Sequence, residues 1–174
     1  MHLIKNINLD IAKNQVTAFI GPSGCGKSTF ARAIIGLVKA TDGKVAWLGK
    51  DLLGMKQEEW RDVRSDIQMI FQDPYASLDS RFTIRKIIEE PLRLHHVYKT
   101  QAEYDNKVAE LMELVGLAKR MSNMYPHEFD GGRRQRVVIA RALSMNPKFV
   151  VCDEPVSALD VSVQAQILNL MMEL

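Results

Sequence analysis

The order of apolar and polar positions predicts a mixed α/β chain in which short strands alternate with helices. Strands are predicted where short apolar runs end at turn residues, at 3–11, 15–20, 44–48, 66–71 and 149–152. Helices are predicted directly after the second strand, over 30–37, and again before the last strand, over 133–143. This alternation is typical of a sheet covered by helices.

The middle of the chain, from 73 to about 129, is predicted to form a helical insert between pieces of this α/β core. Thr100 is followed three residues later by Glu103, which is the spacing of a capping box at a helix N-terminus. Apolar residues then recur on one helical face, at Tyr104, Val108, Leu111 and Val115. Gly116 is predicted to end this helix.

A further apolar stripe at helical spacing closes the sequence, at Val163, Ile167, Leu170 and Leu174. No glycine, proline or basic stop signal follows it. We therefore expect an α/β fold that is incomplete at its C-terminus, as in a fragment of a longer chain.

Composition and charge narrow the class of protein without indicating a function. The 174 residues suggest one domain, and a hydrophobic content of 47% is ordinary for a globular protein. The 23 basic and 21 acidic residues give a net charge of only +2, so no global field attracts nucleic acid. Cys25 and Cys152 have neither disulfide nor metal-site spacing, which indicates a reducing compartment. No apolar run reaches the roughly 18 residues of a membrane span, so we expect a soluble protein whose membrane association comes through a partner.

The strongest chemical signal is the segment 21–29, GPSGCGKST, which fits the phosphate-loop pattern G-x-x-x-x-G-K-[ST]. Glycines allow the backbone to approach an anion closely, and successive N–H groups at a helix N-terminus favour negative charge. We expect Lys27 to reach the β- and γ-phosphates of a nucleotide and Ser28 to hold Mg²⁺. The strand and helix predicted on either side disfavour a chance glycine-rich turn. The predicted nucleotide-binding residues of the loop are Gly21, Ser23, Gly24, Cys25, Gly26, Lys27, Ser28 and Thr29.

A second candidate site follows the apolar strand at 149–152, where Asp153 and Glu154 stand side by side. Parallel α/β sheets bind ligands beyond the carboxyl ends of their strands. An aspartate there can hold Mg²⁺, and a neighbouring glutamate can polarise an attacking water. The alternative is an ordinary polar loop at the end of a strand.

Five elements, in order along the chain, resemble the ATP-binding-cassette ATPases. They are the loop at 21–28, Gln72 at the end of a strand before the helical insert, the signature-like run at 129–133, the strand ending in Asp153 and Glu154, and the turn at 157–160. The runs at 70–79 and 125–128 are most similar to the ATPase subunits of dipeptide and oligopeptide importers.

This resemblance implies one nucleotide-binding domain over 1–174, with a P-loop NTPase core at 1–72 and 133–174 and a helical insert at 73–132. It also implies a head-to-tail dimer, of like or unlike subunits, in which ATP lies between the phosphate loop of one subunit and the signature of the other. The insert would dock on membrane-spanning permease subunits at the cytoplasmic face of the membrane. Binding and hydrolysis of ATP would then power the import of a solute, most simply a peptide.

The resemblance also assigns roles to residues, with ATP and Mg²⁺ as the implied cofactors. Glu154 would be the general base, and Gln72 would sense both the metal and the transport partner. The implied Mg²⁺ ligands are Ser28, Gln72 and Asp153. The signature residues facing the nucleotide of the other subunit would be Asp130, Gly131 and Gly132, and Asp160 would contact that subunit.

Three departures from the family pattern favour weakened activity in this chain. Asp130 stands where the signature serine donates a hydrogen bond to the γ-phosphate, and an ionised carboxylate cannot donate one. No histidine follows His127 in the position of the family's switch histidine, and no aromatic residue precedes the first strands to stack on adenine. Asp130 can instead simply cap the helix that follows it. We expect weak Mg·ATP binding and slow or absent hydrolysis.

Two other functions are left open by the sequence. One is a non-catalytic nucleotide-binding subunit paired with a competent partner, which the aspartate at 130 favours. The other is a soluble family relative acting on DNA or ribosomes. The basic run 133–136 is interpreted as a solvated helix face, and no nucleic-acid partner is expected.

Overall fold

The structure is a computed structural model that describes residues 4–56, 58–157 and 159–173. The chain divides into two compact units, Met1–Trp60 and Arg61–Leu174. Leu3, Ala158 and Leu174, which belong to predicted segments, lie outside the described residues. The assignment of core segments and helical insert made from the family resemblance stays a prediction.

The first unit is built around one helix and a hairpin. Helix α1 spans Lys27–Ile34, and the hairpin pairs β1 (Ala46–Trp47) with β2 (Lys50–Asp51) in antiparallel register. The helix is shorter than the predicted 30–37 at its C-terminal end, because Gly36 leaves it in the left-handed region at φ 71°. A Cβ at Gly36 would lie 2.4 Å from the Trp60 ring, so only glycine fits this stop.

The strands predicted at 3–11 and 15–20 are wrong for the described part of these segments. Residues 4–20 contain no strand, and most of their large apolar residues are exposed, Ile20 to 96%. A strand is stabilised by a paired neighbour and a buried face rather than by its own apolar pattern. In the described part of the first unit, strand pairing occurs only between β1 and β2.

The second unit contains a two-stranded parallel sheet and most of the helices. Helix α2 (Glu59–Asp66) leads into β3 (Ile67–Ile70), which pairs with β4 (Phe149–Cys152) in the register Ile67↔Phe149 to Ile70↔Cys152. Between the two strands lie α3 (Ile84–Leu94), α4 (Gln101–Leu114) and α5 (Gly131–Leu143). Short 3₁₀ turns at Lys119–Asn123 and Pro126–Glu128 connect α4 to α5, and α6 (Val161–Glu173) follows β4.

The prediction for α4 is confirmed in detail. The Thr100 side chain accepts a hydrogen bond from the Glu103 N–H, and the Glu103 carboxylate accepts one from the Thr100 N–H at 2.8 Å. Each member of the predicted apolar stripe is buried: Tyr104, Val108, Leu111 and Val115. Gly116 follows the helix with φ 69°, as a glycine stop requires.

The hydrophobic core of the second unit lies between β3 and helices α3 to α6. Its most buried members are Ile70, Ile84, Ile87, Ile88, Met112, Val115, Val137, Val138, Ile139, Ala140 and Ile167. This core anchors the carboxyl ends of β3 and β4, where the predicted catalytic residues begin. Among the helices that the structure describes, none combines the length and apolarity needed to cross a membrane.

Candidate nucleotide-binding site

The phosphate loop of the first unit is folded around the Lys27 side chain. Its ammonium group donates hydrogen bonds to the carbonyl oxygens of Gly21, at 2.9 Å, and Pro22, at 3.1 Å. The aliphatic stem therefore spans the loop that precedes it in sequence. The ammonium group therefore adds positive charge to a loop of backbone groups at a helix N-terminus.

Left-handed glycines give the loop its shape. Gly26 is the N-cap of α1 with φ 102°, and Gly24 has φ 79°, a region that other residues enter with strain. A Cβ at Gly24 would meet no atom within 4 Å, so this side of the loop is open. A Cβ at Gly21 would lie 2.9 Å from the Cys25 sulfur, so the loop is packed closely on itself.

The remaining predicted residues of the loop lie where the motif places them. Ser23 and Cys25 are exposed in the loop, and Ser28 and Thr29 belong to the first turn of α1. The segment entering the loop is anchored by an edge-to-face contact between Phe19 and Phe30, with ring centroids 4.9 Å apart. The nucleotide-binding roles of these loop residues stay predictions.

In the second unit, the structure brings Gln72 and Glu154 together. The Gln72 Nε2 donates to a Glu154 carboxylate oxygen at 2.9 Å and to the Ser157 hydroxyl at 3.3 Å. The contact follows from the parallel register of β3 and β4, because both strands end at the same edge of the sheet. Ser157 is not among the predicted site residues, and its only sequence signal is its place in the turn at 157–160.

Glu154 is held in an unusual backbone conformation. Its φ of 46° is in the left-handed region, which costs a residue with a Cβ about 1–2 kcal/mol. The Glu154 carbonyl accepts hydrogen bonds from the Ser157 N–H at 3.2 Å and the Ser157 hydroxyl at 3.1 Å, which brace this turn. Strain of this kind is concentrated at functional sites.

The two adjacent carboxylates have different environments. Asp153 is only 4% exposed, and its N–H donates to the Ile70 carbonyl at 2.9 Å, which extends the β3–β4 pairing. Glu154 is exposed. Just before them, burial raises the pKa of the Cys152 thiol to about 11, so this cysteine is a neutral packing residue.

The signature-like turn is organised by Asp130 as a helix cap. One Asp130 carboxylate oxygen accepts a hydrogen bond from the Arg133 N–H at 2.8 Å, and the other lies 3.5 Å from the Arg133 Nε. The capping role considered for Asp130 is therefore confirmed. The cap also places a carboxylate at the N-terminus of α5, in the position where the family pattern has a hydroxyl donor.

Packing against neighbouring side chains favours glycine at both signature positions, 131 and 132. A Cβ at Gly132 would lie 2.6 Å from a Val163 methyl carbon, and one at Gly131 would lie 3.2 Å from a Leu159 methyl carbon. Helix α6 and the turn before it therefore approach α5 too closely for any side chain at 132. Asp160 lies in that turn, where its carbonyl accepts from the Val163 N–H at 2.9 Å. The roles of these residues toward a facing subunit stay predictions.

The interpretation of the basic run 133–136 as a solvated helix face is wrong for most of its residues. The Arg134 Nε donates to the Pro126 carbonyl at 2.7 Å, and Arg136 Nη1 donates to the Val115 carbonyl at 2.7 Å. Gln135 is fully buried, and only Arg133 is exposed. Composition cannot distinguish arginines that bind backbone carbonyls from arginines that face solvent.

Comparison with known proteins identifies the family of this chain. A family model described as ABC transporter matches residues 4–157. The chain therefore belongs to the ABC transporter family.

The curated relatives that match this chain have more specific names than the family model. The oligopeptide transport ATP-binding protein OppF of Salmonella typhimurium is 60% identical over 171 residues, which are 98% of this chain and 51% of OppF. The dipeptide transport ATP-binding protein DppF of Lactococcus lactis is 50% identical over 173 residues, 98% of this chain and 55% of DppF. The chain thus spans about half the length of the curated relatives it matches.

Solved structures agree with the fold class. The dimeric ATP-binding cassette MJ0796, in a post-hydrolysis state bound to ADP and Pi, matches with a TM-score of 0.87 and 32% identity, over 97% of this chain and 73% of that one. The cassette cbiO1 from Clostridium perfringens, part of the ABC transporter complex cbiONQ, matches with a TM-score of 0.86 and 27% identity, over 99% of this chain and 66% of that one. The α/β class with a P-loop NTPase core, predicted from the sequence, is therefore confirmed.

Proposed function

We propose that this chain binds ATP and Mg²⁺ and is the nucleotide-binding part of an ATPase that powers peptide import. The observation that carries the proposal is the loop at 21–29, with Lys27 folded across it and left-handed glycines at 24 and 26. Its support is the identity of 60% to an oligopeptide transport ATP-binding protein. Within the loop, backbone N–H groups bind phosphate oxygens and Lys27 exchanges its carbonyl partners for the β- and γ-phosphates.

The donor set proposed for Mg²⁺ suits that ion. Ser28 offers a hydroxyl, Gln72 an amide oxygen and Asp153 a carboxylate, all of them hard oxygen ligands. The described residues contain no group of three or more His, Cys, Asp or Glu that could hold a metal ion. Mg²⁺ is commonly bound by one or two carboxylates together with substrate phosphates and waters. Bound in this way, the ion would neutralise charge on the phosphates.

Glu154 is proposed as the general base, acting on the water that attacks the γ-phosphate. Its exposed carboxylate is oriented by the Gln72 amide at 2.9 Å, and its strained backbone is braced by Ser157. Gln72 is thus both a proposed metal ligand and the residue in contact with the base. The remaining catalytic demand is positioning and charge stabilisation, as in phosphoryl transfer generally.

Calorimetric titration of Mg·ATP into the chain tests the proposal. We expect saturable binding of weak affinity, which ADP competes and which needs the divalent ion for full strength. A titration without binding heat at millimolar nucleotide, with the protein shown to be folded by circular dichroism, would overturn the proposal.

For the assembly, we propose a head-to-tail dimer of like or unlike subunits that docks on membrane-spanning permease subunits at the cytoplasmic face of the membrane. Supports for this are the dimeric state of the similar cassette MJ0796 and the transport function in the names of the curated relatives. Asp130, Gly131 and Gly132 would face the ATP of the other subunit. The net charge of +2 gives no reason to add a nucleic-acid partner.

A second candidate function is a catalytically impaired subunit that binds ATP without efficient turnover. The observation that favours it is the Asp130 carboxylate at the N-terminus of α5. Two unit charges about 4 Å apart repel by roughly 4 kcal/mol at an effective dielectric constant near 20. Arg133, with its Nε 3.5 Å from Asp130, offsets part of this repulsion.

Replacing Asp130 by serine is therefore expected to strengthen ATP-dependent dimerisation by tenfold or more, measured by analytical ultracentrifugation with Mg·ATP. Serine caps a helix about as well as aspartate, so the melting temperature should change little. Asp130→Asn is the matched control, because it keeps the shape and the cap but removes the charge, and we expect a smaller gain. If neither variant dimerises more strongly than the parent, Asp130 is not the cause of impairment.

A further inference from the structure

The segment that follows Gln72 is attached to helix α5 at two points. The Arg134 guanidinium carbon lies 3.9 Å from the centroid of the Tyr75 ring, which is a close cation–π contact. The Arg141 Nη1 donates to the Ser77 carbonyl at 2.6 Å. The two arginines are about two helical turns apart, so they lie on one face of α5. The segment 73–77 therefore runs along the helix that begins at the signature-like turn.

This segment is also held together by hydrogen bonds between its own residues. The Tyr75 N–H donates to the Asp73 carboxylate at 2.7 Å, and the Ser77 hydroxyl donates to the Asp73 carbonyl at 2.6 Å. Pro74 between them is buried. Gln72, whose amide contacts Glu154, is the residue immediately before this turn, so the position of the turn constrains the position of Gln72.

Arg134 also contacts the turn that leads into the signature-like run. Its Nε donates to the Pro126 carbonyl at 2.7 Å, and the same carbonyl accepts from the Phe129 N–H at 3.1 Å. Its own N–H donates to the Asp130 carbonyl at 3.0 Å. One half-buried guanidinium thus joins the Tyr75 ring to the 3₁₀ turn that leads to the signature, and the backbone of the same residue belongs to the first turn of α5.

We propose that Arg134 is a positioning residue that couples the turn carrying Gln72 to the turn carrying Asp130. A change at either turn is transmitted to the other through the guanidinium, which cannot keep both the ring contact and the Pro126 bond if the turns separate. The consequence for ATP turnover rests on the function proposed above. The coupling itself belongs to the second unit and exists without nucleotide.

Tyr75 makes the proposal testable without disturbing the core, because its side chain is 61% exposed. Tyr75→Leu removes the ring face but retains apolar volume. Tyr75→Phe retains the ring and is the matched control. Lys86→Met is a second control, because it removes a cation–π pair with Phe82, at 5.9 Å, elsewhere in the same unit.

Hydrogen exchange followed by mass spectrometry, without nucleotide, measures whether a change at Tyr75 alters amide exchange in residues 126–132. In Tyr75→Leu, amides in the peptide covering 126–132 should exchange about two- to fivefold faster, because an exposed cation–π contact is lost. Tyr75→Phe and Lys86→Met should leave this peptide unchanged. Arg134→Met, which loses the charge-assisted bond as well, should raise its exchange about tenfold or more.

The double variant separates coupling from two independent local effects. If Tyr75 acts on residues 126–132 through Arg134, Tyr75→Leu should have almost no further effect in the Arg134→Met background. Multiplicative effects in the double variant would overturn the proposal. So would unchanged exchange at 126–132 in Tyr75→Leu, and this single variant decides the question if Arg134→Met does not fold.

ATP measurements distinguish this proposal from the proposed function. Tyr75→Leu should lower kcat about two- to fivefold while the calorimetric affinity for Mg·ATP is unchanged, and Tyr75→Phe should restore kcat. A chain that binds no ATP but shows the predicted exchange pattern would refute the proposed function and support the coupling. Normal ATP binding, with no change of exchange at 126–132 in Tyr75→Leu, would support the proposed function and refute the coupling.

Discussion

Replacing Lys27 by alanine is expected to weaken Mg·ATP binding by about ten- to a hundredfold. The ammonium group is held over the phosphate loop by the Gly21 and Pro22 carbonyls, at 2.9 and 3.1 Å. Charge-assisted hydrogen bonds to phosphate oxygens are about twice as strong as neutral ones, and alanine replaces them with nothing. Isothermal titration calorimetry with Mg·ATP measures the loss directly.

Lys39→Ala is the matched control, because Lys39 is an exposed lysine of the same unit and lies outside the loop. It should bind Mg·ATP as the parent does. Circular dichroism melting should show that both variants remain folded. Equal affinities for the parent and for Lys27→Ala would mean that the loop at 21–29 does not bind the phosphates.

Replacing Glu154 by glutamine is expected to lower the rate of ATP hydrolysis by a factor of about 10² to 10⁴. Glutamine is close to glutamate in size, and its side-chain oxygen can still accept from the Gln72 amide, now at 2.9 Å from the carboxylate. It cannot, however, take a proton from the attacking water. Affinity for Mg·ATP should change little, so a single-turnover assay of phosphate release at saturating ATP isolates the chemical step.

Glu113→Gln controls for the loss of a carboxylate, because Glu113 is exposed and forms a surface ion pair with Lys119, at 3.2 Å. Its rate should match the parent's. Since Asp130 is expected to slow hydrolysis, the same comparison is made in the Asp130→Ser background, where turnover is easier to measure. Hydrolysis by Glu154→Gln at the parental rate would exclude Glu154 as the base.

Local signals in the sequence predicted much of the second unit. The Thr100–Glu103 capping box and the stripe that follows it specify a helix start and a buried face through contacts within a few residues. The sequence of neither strand predicted that β3 pairs with β4. The structure, not the sequence, showed that Gln72 and Glu154 meet where these two parallel strands end.

Predictions failed where an element depends on distant partners. The apolar pattern of 15–20 indicates a strand, but pattern alone provides no neighbouring strand, and Ile20 is almost fully exposed. Helix α1 ends at Ile34, before the left-handed Gly36, where the ring of the distant Trp60 leaves no room for a Cβ. Arg134 and Arg136 bind the carbonyls of Pro126 and Val115, which lie outside helix α5, so the run of basic residues alone indicated the wrong environment.

By itself the sequence determined the family, the phosphate loop and the identity of the acidic residues after β4, because these depend on residue types at fixed short spacings. Only the tertiary structure decided what each of those residues touches. It showed Gly132 as the one residue type that Val163 of α6 allows. It also joined Tyr75 to Pro126 through one guanidinium. The reason is physical: these contacts connect segments through space, and their energy depends on distances that no local spacing encodes.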